Sequence, residues 1–183
     1  MTTGARTGIA LRAAVSLGPM PDRRHMTTRD EGFARAPERA VFDVVRAVEA
    51  WPEHLPHYRR VRMLERDGSD GGIVEMSANR PFLGGALGWP TFWRSLMEVD
   101  HARPAVRFRH IGGLTTGMDV EWAFEPGDDG TFVTLLHVWD GPRWPLVGPF
   151  AARSVIGPVF VHGIASRTLA GLIRIAEARG AIA

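Results

Sequence analysis

The sequence predicts a single α+β domain in which an antiparallel sheet is followed by a long C-terminal helix. Its 183 residues suit one domain with a sizeable core. From Arg60 to Trp139, apolar and polar residues alternate with a period of two, in runs that Gly, Pro and Asp residues interrupt. The last segment instead carries apolar residues at helical spacing. These two periodicities, in this order, indicate a sheet and a helix that pack on each other.

The elements before this sheet region are one strand and two short helices. The strand is predicted over 25–36, and the turn at Pro37 ends it. Pro37 also suits the first position of a helix, which is predicted to continue to Trp51 with valines along one face. A second short helix is predicted over 53–58, and Pro56 keeps it short.

The rest of the chain is predicted to form six more strands and the terminal helix. This helix is predicted to begin at Pro158 and to run to Ala178, because Gly180 is a helix stop. Two segments, 81–89 and 142–158, are rich in Pro and Gly but also apolar, which is typical of packed lids rather than solvated linkers. The six strands are predicted at 60–67, 72–80, 91–99, 105–111, 118–125 and 131–139.

The composition excludes several classes of protein. All 22 basic residues are arginine and the net charge is only +2, without a block of like charge, so no nucleic-acid partner is expected. No run of about 18 apolar residues occurs, so no stable membrane insertion is expected. The absence of cysteine excludes disulfides and zinc–thiolate sites and fits a cytoplasmic location. Residues 1–24 are expected to be a disordered extension.

The alternation also predicts which residues face the inside of the domain. Four strands together give an inward set that is mainly aromatic and aliphatic. On the terminal helix, a mainly apolar stripe includes two polar residues. The inward set on the strands is Val74, Met76, Ala78, Arg80, Trp93, Ser95, Met97, Val99, Val106, Phe108, His110, Met118, Val120, Trp122 and Phe124. The helix stripe is Val159, His162, Ser166, Leu169, Ile173 and Ala176.

Two stretches of the sequence resemble a known family. "APERAVFDVVRAVEAWPEHLPHYRRVRMLERDG" is similar to the opening of bacterial polyketide cyclase/dehydrase domains and of their coenzyme-Q-binding relatives. "ASRTLAGLIRIAEARG" resembles their C-terminal helix, and the resemblance as a whole covers 29–180. It implies the START/Bet v 1-like (SRPBCC) superfamily and one helix-grip domain over 25–180. In this fold a curved seven-stranded antiparallel sheet wraps around the long C-terminal helix, with two short helices after the first strand, and encloses an apolar cavity.

The expected site residues follow from the inward set and from this resemblance. His110 or His162 would be the general acid or base, with a pKa near neutrality, and Ser95 and Arg80 would orient carbonyl oxygens. Related cyclases carry a pocket arginine that aligns near Met97, where this chain has no cation. The expected contacts of a hydrophobic small-molecule ligand are Tyr58, Met76, Trp93, Met97, Phe108, Met118, Val120, Trp122, Phe124, Ser166 and Leu169.

Three functions stay open at this point. The first is a cyclase or dehydratase of a polyketide-like intermediate, favoured by polar groups within an aromatic pocket. The second is a carrier of a lipid, quinone or pigment, favoured by the absent arginine and by the two apolar segments. The third is an interaction module, because those segments also suit contact with a carrier protein or a second copy of the chain. No cofactor is expected, and no metal site, because His54 and His57 have no third ligand in the pattern.

Overall fold

The structure, a computed structural model, describes residues 14–22, 24–82, 87–142 and 162–180, without the side chains of 80–82, 87–89 and 162. Within these residues the strands are β1 (Met26–Ala34), β2 (Tyr58–Arg66), β3 (Gly72–Phe82), β4 (Leu87–Asp100), β5 (Ala105–Gly113), β6 (Asp119–Gly127) and β7 (Gly130–Trp139). The helices are α1 (Glu38–Arg46), α2 (Trp51–His54) and α3 (His162–Gly180), with a 3₁₀ turn at Val48–Ala50.

All seven strands pair in one antiparallel sheet, in the order β1-β7-β6-β5-β4-β3-β2. β1 and β2 are therefore the two edges, and α1 and α2 connect them. α3 packs against β1 and α1. Gly32 permits this close approach, because a Cβ there would lie 2.5 Å from Cδ1 of Ile173. The arrangement confirms the predicted helix-grip α+β fold.

The core lies on the inner face of the sheet, which α1 and α3 cover. The predicted alternation is confirmed on β5, where Val106, Phe108 and His110 are buried. Phe42 of α1 is fully buried, and its ring meets that of Phe124 edge-on at 5.9 Å between centroids. Each large apolar side chain buried in this way stabilises the fold by about 1.5–3 kcal/mol before the entropic cost of ordering it.

The two short helices end earlier than the sequence predicts. The first helix ends at Arg46, and the chain turns at Ala47 before Trp51 starts the next helix. Proline explains this restart, because Pro52 has no N–H for a continuing helix but fits the first turn of a new one. The second helix is only four residues long, and the predicted helical residue Tyr58 instead opens β2.

The predicted loop over 81–89 is wrong where the structure describes it. β3 and β4 continue as a paired hairpin through this segment, with Arg80 opposite Trp89 and Phe82 opposite Leu87. Pro81 is tolerated in β3 because the pairing of β3 with β2 ends at Ala78, so its missing N–H breaks no hydrogen bond on that side. Most of the second apolar segment, 142–158, lies outside the described residues.

Residues 14–22, within the extension expected to be disordered, run along the outer face of the sheet. Their backbone makes hydrogen bonds with charged side chains of the domain. Val15 N–H donates to Asp67 at 2.7 Å, and Leu17 N–H donates to Glu98 at 3.0 Å. The carbonyl of Leu17 accepts from Arg109 at 3.2 Å, and the Leu17 side chain is buried. No helix in the described part of the chain is long and apolar enough to cross a membrane.

Candidate functional site

A cavity of about 260 Å³ lies between the inner face of the sheet, α2 and α3. Its wall is mainly aromatic and aliphatic, and no Asp, Glu or Arg belongs to it among the described residues. Such a wall binds apolar ligands by contact, and its few polar groups orient them. Eight residues named from the sequence line the cavity: Tyr58, Met76, Trp93, Phe108, His110, Met118, Val120 and Trp122.

Four aromatic rings make one side of the cavity. Trp51 of α2 meets Tyr58 at 5.3 Å and Trp122 at 6.1 Å between ring centroids, with the rings tilted toward edge-to-face. Tyr58 in turn meets Trp93 at 6.2 Å. Edge-to-face contacts between rings at these distances are favourable beyond the area they bury. The aromatic side of the cavity is therefore preformed by contacts within the protein.

His110 of β5 is one of two buried histidines in the cavity wall. Its Nδ1 lies 2.6 Å from Oγ1 of Thr115, and its ring lies nearly parallel to that of Trp93 at 6.1 Å. Burial, and then the nearby His137, lower the pKa of His110 from 6.5 to about 3. For His110 the expected pKa near neutrality is therefore wrong, because burial penalises the charged imidazolium.

His137 of β7 is the second buried histidine of the wall, and the sequence analysis missed it. It lies opposite Val120 on the neighbouring strand, and its Nδ1 has no hydrogen-bond partner among the described residues. Burial lowers the pKa of His137 to about 3. Both histidines are therefore neutral at pH 7, so each can offer one N–H donor and one acceptor nitrogen.

A second polar feature of the site is a cluster of three side chains, His57, Tyr58 and Thr168, which connects the start of β2 to α3. Oγ1 of Thr168 lies 2.9 Å from Nε2 of His57, 3.4 Å from Oη of Tyr58 and 2.8 Å from the carbonyl oxygen of Ile164. Burial raises the pKa of Tyr58 well above its usual value, so its hydroxyl stays protonated. Burial and the charge of Arg167 lower the pKa of His57.

Several wall residues were not named as site residues from the sequence. Leu135 and His137 alternate inward on β7, and this strand's alternation in "TFVTLLHVW" was the signal that would have found both. On α3, the buried face is centred on Ala165, Thr168 and Leu172. This buried face is rotated about the helix axis from the predicted stripe. The sequence pattern did not reveal it, because Ala165 and Thr168 are small or polar and contribute little to an apolar pattern.

Five residues named from the sequence lie outside the cavity wall. Met97, Phe124 and Leu169 are buried in the surrounding core, and Leu169 faces Gly32 of β1. Ser166 is partly exposed on α3. Ser95 is fully buried beside the wall, and its Oγ has no hydrogen-bond partner among the described residues.

The side chains of two other candidates, Arg80 and His162, lie outside the described part of the structure. Among the described residues, no group of three or more His, Asp or Glu side chains is arranged to hold a metal ion. The polar side-chain groups of the described cavity wall are therefore neutral, and they are imidazole, phenol, hydroxyl and indole N–H groups.

Comparisons with solved structures show the same fold in other proteins. The chain is similar in structure to the Zhui aromatase/cyclase from a Streptomyces species, with a TM-score of 0.70 at 21% identity, over 84% of this chain and 94% of that chain. It is also similar to a Thermus thermophilus protein, with a TM-score of 0.67 at 19% identity, over 84% and 99% of the two chains. A START superfamily protein from Mycobacterium smegmatis has a TM-score of 0.59 at 16% identity, over 85% and 97%.

These likenesses at low identity establish the fold, and the sequence itself supplies the family. No curated protein matches the chain by sequence. The model of one family, described as polyketide cyclase / dehydrase and lipid transport, matches residues 35–156, which run from the end of β1 past β7 and include most of the cavity wall. The chain has the helix-grip fold of these structures and is a member of the polyketide cyclase / dehydrase and lipid transport family.

Proposed function

We propose that the protein binds an uncharged aromatic or otherwise apolar small molecule in this cavity and acts on it as a cyclase or dehydratase of a polyketide-like intermediate. The observation that carries the proposal is the pair of neutral histidines, His110 and His137, in an otherwise apolar wall. Hydrogen-bond donors in a dry cavity stabilise charge on a ligand oxygen far better than they do in water.

In a cyclisation, the cavity first acts by orientation. The rigid aromatic side holds a folded chain so that an enol carbon meets a carbonyl carbon, which removes much of the entropic barrier. The carbon–carbon bond forms from the enol π electrons, and the enol hydroxyl loses its proton and becomes a carbonyl. The π bond of the attacked carbonyl breaks, and its oxygen becomes an alkoxide that takes up a proton. In the dehydration that follows, a neighbouring C–H proton and that hydroxyl leave together as water.

The histidines fit hydrogen-bond donation better than strong base catalysis. With a pKa of about 3, each imidazole is a weak base in the empty cavity but a good neutral donor toward a carbonyl or enolate oxygen. When the Thr115 hydroxyl donates to Nδ1 of His110, the hydrogen of that ring is on Nε2. The same proposal includes the predicted roles of His162 as a general acid or base and of Arg80 and Ser95 in orienting carbonyl oxygens. The product assay described below tests these roles as well.

A first experiment tests binding alone. Calorimetry with 2-naphthol as an uncharged probe should detect binding to the protein. Ala165→Leu places a larger side chain in the cavity wall and should weaken that binding by about tenfold or more. Ala170→Leu is the matched control, because Ala170 is exposed on the same helix. Equal binding by both variants would place the probe outside the cavity.

A second experiment tests chemistry. A short linear β-polyketone thioester is incubated with the protein, and the cyclised and dehydrated products are compared with those that form spontaneously. We expect a different product distribution, which His110→Leu and His137→Leu shift toward the spontaneous one. The cyclase proposal is abandoned when the products with and without protein are the same.

One observation favours a carrier as the second candidate. Among the described residues the wall offers no charged side chain, so charge developing on a ligand meets no cation from this part of the wall. Native mass spectrometry of protein isolated from its source organism separates the two candidates. A retained apolar molecule that the protein leaves unchanged supports the carrier.

A further inference from the structure

Three side chains join the cavity wall to the partly exposed corner between α2 and β2. Tyr58 and Thr168 line the cavity and are only 7% and 2% exposed. His57 is partly exposed and is not among the described wall residues. Oγ1 of Thr168 lies 2.9 Å from His57 Nε2 and 3.4 Å from Tyr58 Oη. Thr168 therefore connects Tyr58 in the cavity wall to His57 at the partly exposed corner.

The hydrogen atoms of this cluster have two consistent arrangements. Thr168 has one hydroxyl hydrogen, and in the first arrangement it donates to Oη of Tyr58, which lies 3.4 Å away. Its oxygen then accepts from Nε2–H of His57, so the Tyr58 hydroxyl hydrogen is left to donate to a ligand oxygen. In the second, Thr168 donates to Nε2 of His57, and the imidazole hydrogen is on Nδ1. The two arrangements differ in the positions of hydrogens and not of heavy atoms.

We infer that Tyr58, Thr168 and His57 form a proton route between the cavity and the solvent. A ligand alkoxide takes the hydroxyl hydrogen of Tyr58, whose oxygen takes that of Thr168. The Thr168 oxygen takes the Nε2 hydrogen of His57, and Nδ1 takes a proton from water. The net change is one proton moved from water to the ligand oxygen, with hydroxide left in the solvent and every side chain neutral.

The electrostatics of the cluster suit this role. The pKa of His57 is lowered, by burial first and then by Arg167, so the ring is neutral and can donate and accept in turn. The raised pKa of Tyr58 keeps its hydroxyl hydrogen in place until a ligand oxygen takes it. The benefit of such a route to catalysis rests on the proposed function, but the route itself can be tested without a ligand.

The experiment uses Tyr58 as its own reporter, because it is the only tyrosine of the chain. Protein labelled with carbon-13 at the tyrosine Cζ gives one signal, and its H/D isotope shift in mixed water reports how fast the hydroxyl hydrogen exchanges with solvent. Thr168→Val should slow this exchange by about tenfold, the effect of one lost hydrogen bond in the path. Thr168→Ser, which keeps the hydroxyl, should restore it.

His57→Leu should slow the exchange as well, and this variant changes a partly exposed side chain that a folded protein tolerates. His54→Leu is its control, because His54 is exposed at the end of α2, three residues before His57, and has no part in the cluster. Unchanged exchange in both Thr168→Val and His57→Leu would mean that the hydroxyl exchanges directly with cavity water, which overturns the route. That result would not contradict ligand binding in the cavity. Likewise, a failure of 2-naphthol to bind would not contradict the proton route.

Discussion

The inner and outer faces of the sheet are built from the same strands but have opposite chemistry. On the outer face, Arg107 lies 3.6 Å from Glu98 and 3.2 Å from Glu121, and Arg109 lies 2.7 Å from Asp119. The inner face carries apolar side chains and the neutral histidines of the cavity. Alternation along each strand separates the two faces, because successive side chains point in opposite directions.

The difference shows how burial decides the charge state of a side chain. Each of these outer arginines lies beside a carboxylate on a neighbouring strand. The inner histidines are buried, and burial penalises the charged imidazolium, so the pKa of each falls to about 3. The inner face therefore offers uncharged hydrogen-bonding groups, which suit an uncharged ligand.

The largest effect is expected from placing a charge on the inner face. Met97 is fully buried and lies between Gly72 and Phe108 on the adjacent strands, which offer no counter-charge. Met97→Arg should lower the free energy of unfolding by about 3–5 kcal/mol. Ile73→Arg is the control, since Ile73 is partly exposed on the outer face opposite Glu65. Urea denaturation of both variants measures the difference, and equal losses would contradict the comparison.

Truncating an apolar side chain should cost more stability on the inner face than on the outer face of the same strand. Leu135 is 2% exposed and lines the cavity, whereas its neighbour Leu136 is partly exposed on the outer face. Leu135→Ala should cost about 2–5 kcal/mol of stability, and Leu136→Ala less than about 1 kcal/mol. Thermal or urea unfolding measures both. A similar cost for the two would show that the assignment of faces on β7 is incorrect.

Acid should weaken the fold through the inner histidines. Above pH 6.5 these histidines are neutral in both the folded and the unfolded state, so they contribute nothing. Below it, the unfolded state binds protons that the folded state does not, so stability falls as the pH falls from 6.5 to about 3. His137→Leu should reduce this slope by about 1.4 kcal/mol per pH unit. Urea unfolding between about pH 4 and 7 tests this, with His54→Leu as the exposed control.

The smallest effect is expected on the outer face. Arg94 pairs with Glu75 at 3.0 Å and stacks over Phe92, but its side chain is half exposed. Arg94→Ala should change stability by less than about 1 kcal/mol, and added salt should shrink the change further. A loss comparable to that of Leu135→Ala would mean that outer ion pairs contribute as much as the core.

Local patterns in the sequence were enough to predict the fold class and most of the aromatic wall. Period-two alternation is a local property, so it assigned Phe108, Trp122 and Met76 to the inner face before any contact was known. It failed for α3 because small and polar residues such as Ala165 and Thr168 carry a weak apolar signal. Only packing of the helix against β1, at Gly32, determined which of its faces lines the cavity.

Only the tertiary structure determined the chemistry of the site. The neutral state of His110 depends on how deeply residues far apart in sequence bury it, and its neighbour His137 comes from another strand. Likewise, Thr168 meets His57 and Tyr58 across about 110 residues of chain. Residue types and spacing do not contain this information, because pKa values and hydrogen-bond clusters depend on distances in space.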